Sequence, residues 1–139
     1  MDIPKNLKVP EIPEHMFHTL SNAKKIDQLD KYSSSPNENG FYEIGYYDGK
    51  VFFALYGGRA IGESTTIRSR LSKHFRGRGN PMVAMDRDNM WYRCVVTKSI
   101  EQAAAIEKYR INRYRAYPNE DKAWAQQYYW NQQYIEDYG

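Results

Sequence analysis

With 139 residues, the chain has room for one hydrophobic core and not for two ordinary domains. A net charge of +3, from 20 basic and 17 acidic side chains, suits a polyanionic partner but serves solubility equally well. A single cysteine, Cys94 in the apolar run WYRCVV, excludes an intrachain disulfide and favours a reducing compartment. No basic segment leads into an apolar stretch near the start and no 18 apolar residues run together, so a cytoplasmic protein with no membrane association is expected.

In chain order, Pro4, Pro10 and Pro13 among charges predict an extended arm over residues 1 to 14. From Glu14 to Lys31, apolar residues at Phe17, Leu20, Ile26 and Leu29 fall near helical spacing and predict a helix. His15 and His18 lie in it three apart, with no third ligand at a recognisable spacing, and read as surface histidines. SSSPNENG, residues 33 to 40, reads as a loop.

FYEIGYYDGKVFFALY is two β-rich runs joined by Asp48-Gly49, a strong hairpin signal. Gly57 and Gly58 are expected to end the second strand. Ser64, Thr65 or Thr66 is placed to cap a helix reaching about Phe75, whose buried stripe is Ile67, Leu71 and Phe75. RGRGNP, residues 76 to 81, should break that helix and leave a basic loop. Met90 to Thr97 reads as a third strand, and Ser99 with Gln102 as a capping box opening a helix from Ile100 to about Tyr114. Trp124, Tyr128 and Ile135 are spaced so that they are able to line one side of an expected last helix. The predicted fold is α+β: a small three-stranded mixed or antiparallel sheet covered by helices. An N-terminal arm and helix (1–39) precede the central unit (40–119), and an aromatic helical extension (120–139) packs on the same unit.

Some residues exceed what a core requires. Arg70 and His74 share a face beside the buried stripe of their helix. Helix geometry alone favours a solvated basic face, but the helix follows YGGR, so its early turns lie beside the end of the hairpin, where a phosphate could sit. Glu107 interrupts the stripe Ile100, Ala103, Ala104, Ile111 and Tyr114. A carboxylate there must be paired, metal-bound or at the stripe's edge. Tyr42 and Tyr56, one on each hairpin strand, are singly more often packing residues than catalysts.

Taken together, Gly40-Phe41-Tyr42, Tyr56-Gly57-Gly58, Arg70, His74, Glu107 and Asn119 resemble the GIY-YIG nuclease superfamily over about residues 40 to 119. Phe41 stands where that family has its first Ile and Gly57 where it has its second. The separation of Tyr42 from Tyr56 is slightly longer than usual, and Tyr46 and Tyr47 compete for the tyrosine role.

The resemblance implies a Mg²⁺- or Mn²⁺-dependent endonuclease acting on DNA, expected to be duplex. It implies that Glu107 binds the metal, Arg70 stabilises the phosphate, Tyr42 or His74 activates water, Tyr56 positions water or phosphate, and Asn119 supports the site. Arg59, Arg68, Lys73, Arg76, Arg78, Arg110 and Arg113 are the expected DNA-binding cations, and the short terminal additions would allow a homodimer. A module of the same fold that binds nucleic acid without cutting it is the alternative, and a basic, tyrosine-rich interaction protein a third.

Overall fold

The hairpin signal is realised at its turn. Asp48 Oδ1 accepts from the backbone N–H groups of Lys50 and Val51, each at 2.8 Å, and Gly49 takes φ +99°, which costs glycine nothing. The computed structural model describes residues 20–26 and 35–116. In chain order the elements are β1 (Lys24–Lys25), β2 (Gly40–Tyr47), β3 (Phe52–Ala60), α1 (Ile67–Phe75), α2 (Pro81–Met85), a 3₁₀ turn (Arg87–Asn89), β4 (Trp91–Val96) and α3 (Ile100–Ala116). The strands form one antiparallel sheet in the order β1-β4-β2-β3.

Among the described residues the sheet therefore has four strands where three were expected, and it is antiparallel throughout. The added strand comes from the segment predicted to be helical. Between Leu20 and Ile26 the chain is extended along the outer edge of β4. Ser21 N donates to Cys94 O at 2.9 Å, Ile26 N donates to Met90 O at 3.0 Å, and Ser21 Oγ accepts from Cys94 N at 3.0 Å. An open strand edge offers a row of unpaired backbone groups, and here they outweigh a weak helical spacing. Leu20 and Ala23 pack towards α3, while Ile26 joins the core on the other face. The rest of the predicted segment 14–31 lies outside the described residues.

Alternation along β2 divides the core. Tyr42 and Ile44 point to one face, where they pack with Leu55, Tyr56, Ile67, Leu71, Val83 and Cys94 beneath α1 and α2. Phe41 points to the other and packs on Ala105, Ile106 and Tyr109 of α3. Glu43 shares that face, with Arg110 and Tyr114 of α3 as partners. The expected opening of the α3 stripe is displaced, since Ile100 is exposed while Gln102, Ala103, Ile106, Glu107 and Arg110 are buried.

A break in register between β2 and β3 matters for the site. Tyr47 pairs with Phe52 and Gly45 with Ala54, but Ile44 pairs with Tyr56, so Leu55 is an extra residue in β3. Without this bulge Tyr56 would face Glu43; with it, Tyr56 faces the same side as Tyr42. The bulge needs Gly45, where an added Cβ would lie 1.9 Å from Phe53 O. Gly57 and Gly58 do not end β3, which continues to Ala60.

Thr66 is the residue that caps α1. Its side chain accepts from Ser69 N, and Ser69 Oγ accepts from Thr66 N in return. Two further N–H groups of the first turn donate to Glu38 O and Pro36 O, which ties the preceding loop to α1. The RGRGNP segment ends α1 as expected, but it also starts α2. Asn80 Oδ1 accepts from Met82 N and Val83 N, with Pro81 in the first turn.

Candidate functional site

Three elements, β2, β3 and α1, bring three rings together on the α1 face of the sheet. Tyr42 Oη lies 2.9 Å from His74 Nε2. The Tyr56 ring stacks near both, with centroids 4.6 Å from His74 and 6.1 Å from Tyr42. Tyr42 is 1 % exposed, His74 3 % and Tyr56 5 %, so the three rings form a dry polar cluster rather than an open surface.

Two glycines make room for it. Gly58 lies opposite Tyr42 in the sheet, and a Cβ there would stand 2.6 Å from Tyr42 Oη and 3.0 Å from Tyr56 Cε1. The bare face of Gly58 thus receives the phenol. At Gly79 a Cβ would come within 2.2 Å of His74 Nδ1. Its absence lets the next residue, Asn80, donate its backbone N–H to Nδ1 at 3.0 Å.

That contact fixes the imidazole's role. A ring nitrogen that accepts a hydrogen bond carries no proton, so neutral His74 holds its proton on Nε2 and donates it to Tyr42 Oη. Burial first, then the charges of Arg70 and Lys73, lower the His74 pKa from 6.5 to about 3. His74 is therefore a neutral donor to the phenol. It is badly placed to take a proton through Nε2.

Tyr42 is pushed in the opposite direction. Burial raises its phenol well above the ordinary value of 10, Tyr56 and Glu107 add to the shift, and Arg70 opposes it. Arg70 is half-buried, and its Nε is buried with no hydrogen-bond partner among the described residues. Glu107 is 3 % exposed and its Oε1 lies 3.1 Å from Arg59 Nε, so the carboxylate on the α3 stripe is ion-paired. Each of these residues comes from a different element, and the charges of Arg70 and Glu107 both act on the Tyr42 phenol.

The remaining predicted residues separate into groups. Tyr46 donates to Asp86 Oδ2 at 2.7 Å and Tyr47 to Gly49 O at 2.9 Å, which commits both to the far end of the hairpin. Arg110, expected on DNA, is buried. It bonds Tyr114 Oη at 2.7 Å and Glu43 Oε2 at 3.4 Å, so these partners hold its guanidinium between α3 and the sheet. Arg59 is engaged by Glu107, and Arg68 bonds Ser35 O through Nε and Nη2 at 3.0 and 2.9 Å. Arg113 is half-buried on α3, whereas Lys73, Arg76 and Arg78 are exposed. Asn119 and the 120–139 extension lie outside the described residues.

Sequence reasoning missed Gly79 and Asn80. The signal was available, since an Asn directly before Pro marks a helix start with Pro in its first turn. Nothing in the sequence points to Asn80's backbone N–H meeting His74.

Among the described residues, no group of three or more His, Cys, Asp or Glu is placed to hold a metal ion, and no helix is long and apolar enough to cross a membrane. A Mg²⁺ ion takes one or two carboxylates and completes its shell largely with water and substrate oxygens; Glu107, the ligand the resemblance implies, is 3 % exposed and paired with Arg59, so it would have to give up that partner to hold the ion. Comparisons of the chain with protein-family models, with curated proteins and with solved structures find no match.

Proposed function

We propose that the protein is a divalent-metal-dependent endonuclease of the GIY-YIG type, hydrolysing phosphodiesters of duplex DNA. The observation that supports this most is the convergence of Tyr42, Tyr56 and His74 within reach of the charges of Arg70 and Glu107. A stable core would not need a buried tyrosine–histidine pair beside an unpartnered guanidinium nitrogen.

In this reading Arg70 offers its unspent N–H to a nonbridging phosphate oxygen, where charge grows as water attacks. Tyr42 accepts the proton of that water as its phenolate, formed once the phenol has passed its own proton to solvent. Two features stabilise the phenolate, the Nε2–H of His74 and the positive charge of Arg70; burial above all, then Tyr56 and Glu107, work against it. Tyr56 lies beside the phenol and orients the attacking water. Glu107 is the residue that would hold Mg²⁺ or Mn²⁺, and the ion when bound supplies Lewis-acid charge to the phosphate.

One observation favours a second reading. Tyr42 and His74 are almost completely buried, as expected of a module that keeps the fold and binds nucleic acid without cutting it. Plasmid incubated with Mg²⁺, with Mn²⁺ and with EDTA separates the two. The nuclease reading expects metal-dependent relaxation or linearisation by the wild type and none by Glu107→Ala. Duplex binding with no cutting under either ion would favour the module.

A further inference from the structure

We infer that a basic cavity along α1 and the turn that follows it is a second subsite for the phosphate backbone of a nucleic acid. This inference rests on the nucleic-acid reading above. The cavity is about 390 Å³ and is lined by Ser69, Ser72, Lys73, Arg76 and Arg78.

The end of α1 explains why these side chains converge. Gly77 takes φ +77° and turns the chain back on the helix. Gly77 N donates to His74 O and Arg78 N to Lys73 O, each at 3.0 Å, the crossed pair of bonds that closes a helix on a left-handed glycine. The reversal brings Arg78 back over the last turn, beside Lys73. The same bonds satisfy the terminal carbonyls, so the cations are not needed to cap them. Lys73 and Arg78 enter no ion pair among the described residues.

Position selects the occupant. Lys73 follows Arg70 by three residues and so is its neighbour on the helix surface, with Cβ atoms about 5–6 Å apart. Arg70 and Lys73 both act on His74, which ties the cavity to the site. A strand that places one phosphate at Arg70 would run its flanking backbone over Lys73 and Arg78. The cavity is open and its cations exposed, as suits a chain lying across it.

The test is the salt dependence of binding to a short labelled duplex, followed by fluorescence anisotropy in EDTA so that cutting does not intervene. Each phosphate contact adds about 0.9 to the slope of log K against log salt, so Lys73→Gln/Arg78→Gln should lower that slope by about 2 units. Lys50→Gln/Lys98→Gln removes equal charge from other exposed positions and should leave the slope unchanged. An unchanged slope in the first variant, or equal losses in both, overturns the subsite while the catalytic reading stands. Loss of slope in the first variant only, from a protein that cuts no plasmid, keeps the subsite and defeats the nuclease. No duplex binding by the wild type overturns both.

Discussion

Tyr42 and Glu43 are consecutive residues of β2, and the two faces of the sheet treat them in opposite ways. Glu43 is wholly buried, which alone would raise its pKa, but Arg110 and Arg93, then the Tyr114 hydroxyl, outweigh burial and hold it below the ordinary value. Arg93 Nε lies 2.9 Å from its Oε1, and Tyr114 Oη lies 2.7 and 2.8 Å from the two carboxylate oxygens. On the other face, burial dominates and leaves Tyr42 a weaker acid than a free phenol. Its polar neighbours are the Tyr56 phenol, a neutral imidazole and an arginine with one nitrogen unspent among the described residues. One face uses its charges on itself, and the other keeps some in reserve. Stability is the business of the first; chemistry on a ligand suits the second.

The contrast breaks most readily on the Glu43 side. Arg110→Ala leaves a buried carboxylate short of a partner and should cost about 3–5 kcal/mol in urea denaturation. A cost under about 1 kcal/mol, the scale of a surface pair, would mean that the network holds nothing.

Gly58→Ala probes the Tyr42 side by crowding. Its Cβ would meet the Tyr42 and Tyr56 rings, and overpacking of this kind should cost about 1–3 kcal/mol and displace the phenol from His74. Full stability and an unchanged imidazole nitrogen NMR spectrum would show that the slot is not needed.

The smallest effect sharpens the comparison through pH. His74 is held neutral down to about 3, so as pH falls below about 6.5 the unfolded chain binds a proton that the folded one refuses. Unfolding is thereby favoured, and the wild type should lose about 2 kcal/mol relative to His74→Gln between pH 7 and pH 5. Glu43 acts in the same direction, but only below the ordinary carboxylate pKa, where its unfolded form protonates first. Equal pH dependence in the two proteins would mean that the imidazole titrates normally.

Local chemistry was the legible part of this fold. The Asp48-Gly49 turn, the Thr66 cap, the Ile67 and Leu71 stripe and the Trp91–Val96 strand follow from short-range signals and are found where those signals lie. What depends on distant pairing was hidden. The β1 strand exists because β4 has an open edge, and a seven-residue stretch cannot advertise that. Arg110 looked like a surface cation because its partner Glu43 is 67 residues away. In the site, Arg70, His74 and Glu107 stood out by their helical positions. The bulge at Leu55, which turns Tyr56 towards Tyr42, depends on a register no local pattern fixes.

The proposed hydrolysis turns on the Tyr42 oxygen, and Tyr42→Phe removes that one atom. With Mg²⁺ or Mn²⁺, plasmid cleavage by the variant should fall at least about 100-fold, the lower end for loss of a general base, with duplex binding in EDTA unchanged. Cleavage by the variant at the wild-type rate, or none by the wild type with either ion, would contradict the account.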